Sequence, residues 1–409
     1  MRVALVVPVF PQLSETFIAA KAVGLARRGV DVHVVCGDSA PAHWAAYGDG
    51  HPVHALRDRV HVAPPTAVSR GWLGGLAGVP RAALAARRDV PRYLTDHSAP
   101  LGRRSRDLYL DLPLAALRPD LVHFEFGSSA RGRTGLRDRL DCALTVSFRG
   151  HDLNFVGLDD PHHYDEIWPR ADGVHLLGQD LWRRARARGA PEDLPATVIA
   201  PAVDAAAMAP PVRRPGELGA RGRPLRVVSV GRLAWAKGYD DALEAIARLR
   251  QRGIVVEHRI VGSGPYLEAV AFWRHQLGLD DMVELVGAVP PGQVAAHYDW
   301  ADVMLHAAIS EGFCNAVLEA QARGLPVVTT DADGLGENVA HTVSGLVVPR
   351  RDPAALADGL AHYAADGPAR LAAGAAGRQR ALTAFRVEDQ LDAWEDFHER
   401  ALTRRRAGD

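Results

Sequence analysis

Lysine and asparagine are scarce in this sequence. Of its 48 basic residues only Lys21 and Lys237 are lysine, and its three asparagines are Asn154, Asn315 and Asn338. This bias is typical of an arginine- and alanine-rich genome, so a lysine or asparagine that does occur is a stronger functional candidate. Lys237 and all three asparagines fall in or beside the motifs described below, whereas Lys21 does not.

Cysteine, net charge and long hydrophobic runs are also limited. Cys36, Cys142 and Cys314 cannot all pair and have no metal-site spacing, which predicts a reduced, cytoplasmic protein. The first apolar run ends at Pro8, so it predicts a strand rather than a signal peptide or membrane span. A formal net charge of −1 argues against a nucleic-acid-binding protein.

The length of 409 residues predicts two domains. We assign 1–203 to the first domain, the proline-containing segment 204–224 to a linker, and 225–385 to the second domain. Within the first domain, Val3–Val7 and Asp31–Cys36 have the pattern of buried parallel strands. Between them we predict a helix over about 15–28, with Ser14 as its N-cap. This βαβ order predicts an α/β fold with parallel sheets.

Two carboxylates, Glu311 and Glu319, lie eight residues apart around the start of a predicted helix. Eight helical residues span roughly 12 Å, about the reach of a sugar, a diphosphate and a ribose. Between these two carboxylates, we expect the backbone N–H groups of Phe313, Cys314 and Asn315 to be free. Together with the helix dipole, they would favour binding of an anion. The spacing alone also fits an ordinary amphipathic helix with two exposed glutamates.

Several short motifs accompany this pair in a fixed order. They are Glu311-x7-Glu319 followed by Ala320-Gln321-Ala322-Arg323-Gly324-Leu325-Pro326-Val327, Gly231-Arg232-Leu233 with Lys237-Gly238, Val261-Gly262-Ser263-Gly264-Pro265, and His151-Asp152. Together they resemble the family 4 retaining glycosyltransferases. The resemblance implies the GT-B fold, in which two Rossmann-like domains with parallel sheets face a central cleft. It also implies an acceptor-side first domain, a nucleotide-sugar-binding second domain, and a last helix, 386–409, that crosses back toward the first domain.

The resemblance assigns roles in the second domain. Glu311 is expected to bind sugar hydroxyls and Glu319 the ribose. Backbone groups of Gly312–Asn315 would contact phosphate and sugar, and Val289 would lie near the base. The turns at Gly231, Gly262 and Gly264 would approach the nucleotide.

Arg232 and Lys237 are the predicted cationic clamp of the donor diphosphate. The leaving diphosphate gains negative charge as the sugar–oxygen bond breaks, so fixed cations stabilise the transition state more than the ground state. Arginine offers a planar fork to phosphate oxygens, and lysine offers a point charge. The scarcity of lysine favours this role for Lys237 over that of a surface cation.

Candidate residues in the first domain follow predicted strands, where ligands of open α/β sheets bind. In the family a histidine at the place of His151 faces the donor sugar, and we expect Asp152 to orient its imidazole. Glu125 and the loop residues Ser14 and Glu15 complete the predicted acceptor side. The segment 70–106 is basic and interleaved with apolar residues, so it fits either a solvated helical face or contact with an anionic membrane.

The sequence therefore predicts a retaining glycosyltransferase of the hexosyltransferase type that uses a UDP- or GDP-sugar. Its acceptor would be a polysaccharide or lipid-linked intermediate, or a small natural product. A sugar-nucleotide epimerase of the same fold and a non-catalytic sugar-nucleotide-binding protein remain alternatives. We expect no cofactor and no metal, although Asp331-Ala332-Asp333 has the pattern that binds a metal in another glycosyltransferase fold. The expected location is the cytoplasm, with peripheral association at the inner membrane face as an alternative.

Overall fold

The computed structural model describes residues 1–63, 90–95, 101–205, 208 and 223–408. The chain divides into two compact units. The first unit comprises Met1–Leu176, Trp182–Ile199 and Leu391–Asp409, and the second comprises Leu177–Leu181 and Ala200–Gln390. Most of the predicted linker 204–224 and much of the segment 70–106 lie outside the described residues.

The first unit is built on a seven-stranded parallel sheet with the strand order β3-β2-β1-β4-β5-β6-β7. Its strands are β1 (Arg2–Val9), β2 (Asp31–Asp38), β3 (Val60–Val62), β4 (Leu121–Phe124), β5 (Ala143–Phe148), β6 (Gly173–Leu176) and β7 (Ala196–Val198). All residues of β4, β5 and β6 are buried, as expected for central strands that helices cover on both faces.

The described α-helices before the second sheet are short, except for two. They are Thr16–Arg27, Pro41–Ala45, Val90–Thr95, Leu101–Leu117, Gly127–Ala130, Leu136–Arg139, Gly150–Asn154 and Gln179–Ala187.

The prediction of Ser14 as a helix N-cap is corrected by the structure. A 3-10 turn over Leu13–Glu15 precedes the helix Thr16–Arg27, so Ser14 lies inside that turn. Glu15 occupies the N-cap position, and its side chain makes no capping hydrogen bond.

The second unit is built on a six-stranded parallel sheet with the strand order β10-β9-β8-β11-β12-β13. Its strands are β8 (Leu225–Val230), β9 (Val256–Val261), β10 (Val283–Gly287), β11 (Val303–His306), β12 (Val327–Thr330) and β13 (Gly345–Val348). The helices from β8 onward are Tyr239–Gln251, Leu267–Gln276, Pro291–Trp300, Asn315–Ala322, Leu335–Asn338, Pro353–Ala365, Gly367–Ala384 and Val387–Ala407.

Apolar residues of strands and helices form the core of the second unit, with Val227, Leu243, Ile260, Leu305 and Val328 fully or almost fully buried. Two parallel sheets with intervening helices confirm the predicted α/β class. The three cysteines are free and buried. In the described residues, no helix combines the length and the apolar character that crossing a bilayer requires.

Candidate functional site

The loops that follow β8 and β11 meet at the carboxyl edge of the second sheet. The two strands are parallel neighbours, so their following loops leave the same edge. After β8, a 3-10 turn over Trp235–Lys237 leads into the helix Tyr239–Gln251. After β11, the chain passes through Glu311 to the helix Asn315–Ala322. This topology brings Lys237 and Glu311 into contact although 74 residues separate them in the sequence.

Lys237 and Glu311 form a largely buried ion pair. Lys237 Nζ donates a hydrogen bond to Glu311 Oε2, and the two side chains are 21% and 15% exposed. Burial alone would raise the pKa of Glu311, but Lys237 and His306 together outweigh it and lower that pKa to about 2. Burial likewise opposes the charge of Lys237, and Glu311 together with Cys314 outweighs it and raises the pKa of the lysine. Both groups are therefore charged at neutral pH.

His306 and Cys314 extend this pair into a four-residue cluster. His306 Nε2 lies 3.4 Å from Glu311 Oε2. Burial opposes the imidazolium, but Cys314 and Glu311 outweigh it and raise the pKa of His306 to about 9. Burial also opposes the thiolate of Cys314, but His306 and Lys237 outweigh it and lower the pKa of the thiol. Within the described residues, His306, Glu311 and Cys314 are the one group with metal-ligand side chains this close together.

Asp333 fixes the backbone of the loop that carries Glu311. Its Oδ2 accepts hydrogen bonds from the Glu311 N–H at 3.1 Å and from the Ser310 hydroxyl. Its Oδ1 accepts from Arg350 Nη1 at 3.0 Å, and the Arg350 N–H donates to Asp331 Oδ1 at 2.8 Å. The carboxylates of the Asp-x-Asp pattern therefore bind one arginine and hold a loop.

The prediction of free N–H groups before the helix Asn315–Ala322 is wrong at one position. The N–H of Cys314 donates to Asn338 Oδ1 at 2.9 Å, and Asn338 Nδ2 donates to the Cys314 carbonyl oxygen at 3.2 Å. Asn338 is fully buried, so its amide holds the peptide groups on both sides of Cys314 in place. Any anion at this helix start must rely on its neighbours Gly312, Phe313 and Asn315.

Glu319 lies within the helix, half-buried, with one carboxylate oxygen engaged. The Tyr298 hydroxyl donates to Glu319 Oε2 at 2.9 Å and also lies 3.2 Å from the Ala316 carbonyl oxygen. Burial raises the pKa of Glu319, against the hydrogen bond from Tyr298, which lowers it. Burial together with Glu319 holds the pKa of Tyr298 well above its usual range. The tyrosine thus orients the carboxylate.

The predicted glycine turns pack backbone against backbone. Gly262 has a φ of +142°, and a Cβ there would lie 1.9 Å from the carbonyl oxygen of Gly231. A Cβ at Gly264 would lie 2.3 Å from the Leu233 carbonyl oxygen. Side chains are therefore excluded at both positions, which keeps the two loops close together. Beside them Arg232 is exposed and Val289 is half-buried.

The predicted acceptor-side carboxylate Glu125 is fully buried and already paired. Arg149 Nη2 donates to Glu125 Oε2 at 2.7 Å, and Lys21 Nζ forms an ion pair with Oε1. Lys21 Nζ also lies 3.7 Å from the centre of the Trp394 ring. In this geometry Glu125 anchors two cations inside the first unit instead of presenting its carboxylate to an acceptor.

Asp152 does not orient the imidazole of His151, contrary to the expectation from the sequence. Its two carboxylate oxygens accept the backbone N–H groups of Ser128 at 2.9 Å and Arg149 at 3.0 Å. Asp152 therefore fixes the loop that begins the helix Gly150–Asn154. His151 and Ser14 are exposed, and Glu15 is half-buried.

His306, Tyr298, Arg350 and the contacts of Asn338 were not predicted from the sequence. His306 ends a buried strand at the edge where ligands bind, and Asn338 is one of three asparagines, so both had a detectable signal. Tyr298 and Arg350 had no detectable signal in the sequence, because their partners come from other elements.

Comparisons with known proteins identify the family of this chain. The family model described as "Glycosyl transferases group 1" matches residues 214–380. The chain is 30% identical over 387 residues to WcaL of Escherichia coli (strain K12), provisionally named a colanic acid biosynthesis glycosyltransferase, with 89% of this chain and 90% of that protein covered. It is 34% identical over 178 residues to the GDP-mannose-dependent alpha-(1-6)-phosphatidylinositol monomannoside mannosyltransferase of Mycobacterium tuberculosis (strain ATCC 25618 / H37Rv), covering 42% of this chain and 46% of that protein.

Among solved structures, HepE of Anabaena in complex with UDP-glucose is similar in fold. The TM-score is 0.69 at 17% sequence identity, covering 98% of this chain and 100% of that one. At this sequence identity the likeness shows only the fold, and it confirms the predicted GT-B class. Because the match to WcaL extends over about nine-tenths of both proteins, the chain belongs to the group 1 glycosyltransferases, the family that its motifs resemble.

Proposed function

We propose that this glycosyltransferase takes its sugar from a UDP- or GDP-sugar and transfers it with retention of anomeric configuration. The observation that carries the proposal is the ion pair of Lys237 with Glu311, beside the glycine turns at the carboxyl edge of the second sheet. A cation suits a diphosphate, and an adjacent carboxylate suits sugar hydroxyls. The GDP-mannose named for one relative and the UDP-glucose bound to HepE support this donor class.

Donor binding would rearrange the ion pair. Lys237 would exchange Glu311 for a phosphate oxygen, and Glu311 would then be available to a hydroxyl of the donor sugar. Arg232, exposed at the turn after β8, would add a second cation. Both cations would stabilise the leaving diphosphate most strongly as its charge develops.

The helix Asn315–Ala322 would bind the remainder of the nucleotide. Backbone groups of Gly312, Phe313 and Asn315 would lie toward phosphate and sugar, while the peptide groups of Cys314 stay bonded to Asn338. Glu319, oriented by Tyr298, would accept hydrogen bonds from the ribose hydroxyls.

For the transfer step we propose that the leaving phosphate oxygen takes the acceptor proton on the face from which the diphosphate departs. This accounts for retention without a second carboxylate acting as nucleophile. His151 is the proposed contribution of the first unit to transfer. The acceptor classes are a polysaccharide or lipid-linked intermediate, which the name of WcaL supports, and a small natural product.

We further propose that transfer of the sugar, a hexose, needs neither a cofactor nor a divalent metal. Lys237 and Arg232 supply the counter-charge. Arg350 already binds both Asp331 and Asp333, whose carboxylates would otherwise be candidates for a metal. Activity should persist after exhaustive chelation, and a loss of activity that added Mg²⁺ or Mn²⁺ restores would overturn this part.

The first test is thermal stabilisation of the protein by a panel of nucleoside diphosphates. A ligand at a hundred times its dissociation constant stabilises the folded state by about 2.7 kcal/mol. Product analysis with the selected donor, with and without candidate acceptors, then separates the remaining possibilities. Conversion of the donor sugar without an acceptor would indicate an epimerase, and binding without any product would indicate a binding protein.

A further inference from the structure

The imidazole of His306, the carboxylate of Glu311 and the thiol of Cys314 form a compact set of metal-ligand atoms. One ligand atom from each residue lies within 4.8 Å of the others. His306 ends β11, Glu311 follows in the loop, and Cys314 is the N-cap of the helix Asn315–Ala322. We call these three residues the donor-site triad.

A buried ring nitrogen in the triad has no well-formed hydrogen bond and faces the carboxylate of Glu311. His306 is 4% exposed, and no hydrogen bond within the described part of the chain satisfies its Nε2 atom. The nearest carboxylate oxygen, Glu311 Oε2, is 3.4 Å away. This nitrogen therefore faces another member of the triad and can bind a metal in the neutral form of the imidazole, once it has lost its proton.

The backbone around the triad is held in place by side chains outside it. Asn338 bonds the N–H and the carbonyl oxygen of Cys314 at 2.9 and 3.2 Å. Thr329 Oγ1 donates to the His306 carbonyl oxygen at 2.8 Å. Asp333 Oδ2 accepts the Glu311 N–H at 3.1 Å. Outer hydrogen bonds of this kind orient metal ligands and sustain metal affinity.

One nitrogen, one oxygen and one sulfur ligand select Zn²⁺ among the common cations. Mg²⁺ and Ca²⁺ require oxygen ligands, of which the triad supplies one carboxylate. With bonds of about 2.0 Å to nitrogen and 2.3 Å to sulfur, tetrahedral zinc needs ligand atoms roughly 3.3–3.7 Å apart. His306 Nε2 and Glu311 Oε2 already have this spacing at 3.4 Å, and the limit of 4.8 Å for the triad leaves a contraction of up to about 1 Å for the other pairs. Three protein ligands leave the fourth position to water.

Zinc in the triad conflicts with the ion pair of Lys237. The ammonium of Lys237 and the zinc ion would compete for the same Glu311 carboxylate, and the two cations repel one another. Lys237 is 21% exposed and Cys314 4%, so the ion would enter from the side of Lys237 and displace it.

We propose that the donor-site triad is an inhibitory zinc site, in which Zn²⁺ bound by His306, Glu311 and Cys314 excludes the nucleoside diphosphate. Binding forms zinc bonds to nitrogen, oxygen and sulfur and releases the imidazolium proton of His306 and the thiol proton of Cys314 to solvent. The exclusion rests on the proposed function, because it assumes that Lys237 and Glu311 hold the donor. The binding of zinc itself does not depend on the proposed function.

The first experiment measures metal binding on the intact, chelator-treated protein without any substrate. We expect calorimetry to find one Zn²⁺ per chain, and Co²⁺ to give the near-ultraviolet absorption of a thiolate–cobalt bond. Cys314→Ser should abolish that absorption and weaken zinc binding by roughly 100-fold or more, because loss of a direct ligand should cost more than the 10–100-fold that loss of an outer hydrogen bond commonly costs. Cys142→Ser, which changes a buried cysteine of the first unit, is the matched control and should change neither.

A second variant, His306→Gln, keeps the proposal testable if Cys314→Ser fails to fold, and it should weaken zinc binding in the same way. No thiolate–cobalt absorption, or equal zinc affinity in the wild type and both variants, would overturn the site. The second experiment titrates UDP and GDP with and without saturating Zn²⁺. A loss of nucleotide affinity in the wild type but not in Cys314→Ser supports exclusion. Zinc binding with unchanged nucleotide affinity overturns the inhibitory role.

Discussion

The hydroxyl of Tyr298 donates to Glu319 Oε2 at 2.9 Å and so joins the helix Pro291–Trp300 to the helix that follows Glu311. If Glu319 binds the ribose, then Glu319→Ala should lower the affinity for the nucleoside diphosphate by about 10–150-fold, because hydrogen bonds to a charged group contribute about 1.5–3 kcal/mol. Tyr298→Phe should lower it by roughly 2–10-fold, since it removes only the orienting bond. Calorimetry with UDP and GDP measures both, with Glu257→Ala on the surface of β9 as control. Unchanged nucleoside diphosphate affinity in Glu319→Ala would show that Glu319 is an ordinary helix residue and does not bind the ribose.

Glu311→Gln should lower kcat by roughly 10²–10³-fold while nucleoside diphosphate affinity stays within a few-fold of wild type. The reason is that the proposed partner of Glu311 is the donor sugar, where charge develops in the transition state. Steady-state kinetics and calorimetry give the two quantities. Glu284→Gln, which changes an exposed glutamate paired with Arg259, is the control. Turnover near the wild-type level in folded protein would show that the assignment of Glu311 to the donor sugar is wrong.

The two lysines of the chain provide a matched pair of variants. Lys237→Met should weaken binding of the nucleoside diphosphate by about 10-fold or more, because it removes a charge-assisted hydrogen bond to phosphate. Lys21→Met removes an equally rare lysine that is also paired with a glutamate, but in the first unit, and should leave nucleotide affinity unchanged. Equal losses in both variants would indicate general destabilisation.

His151→Ala should slow transfer by about 10-fold or more and leave the affinity for free nucleoside diphosphate intact. His151 is exposed in the first unit, whereas the proposed nucleotide contacts are in the second. His162→Ala, which changes a histidine of the same unit with an 80% exposed side chain, is the control. Parallel losses of nucleotide affinity and turnover in His151→Ala would show that the assignment of His151 to the acceptor side is wrong.

Lys21 should make stability rise with pH over an alkaline window. Burial lowers its pKa from 10.5 to about 8, against the attraction of Glu125, which also pairs with Arg149. Between about pH 8 and pH 10 the unfolded state binds the lysine proton more strongly, so raising the pH favours folding by up to about 1.4 kcal/mol per pH unit from this group. Below about pH 8 both states are protonated and the dependence ends.

Thermal midpoints of wild type and Lys21→Met measured from pH 7 to pH 10 test this. As the pH rises from about 8 to 10, the thermal midpoint of the wild type should rise relative to that of Lys21→Met. A constant difference would mean that Lys21 stays protonated in the folded protein.

Much of the fold followed from local sequence patterns. The continuous apolar run Val3–Val7 and the mostly apolar segment Leu225–Val230 are strands in the structure because a parallel strand covered on both faces needs mainly apolar side chains. The positions of Glu311 before a helix and Glu319 inside it were also predictable, since helix geometry fixes short-range spacing. Capping was predicted less well, because Ser14 is a favourable N-cap by residue type but lies inside a 3-10 turn.

The sequence by itself determined the α/β class, the strands of the first βαβ unit and the residues that occupy the loops at the sheet edge, since each depends on composition and short-range periodicity. Only the tertiary structure decided which charges meet. Lys237 contacts Glu311, Lys21 contacts Glu125, and Asp333 fixes the Glu311 loop, because the order of strands within the sheets brings distant segments together. The protonation states follow from the same contacts, because burial and partner charge act only after folding has placed those groups side by side.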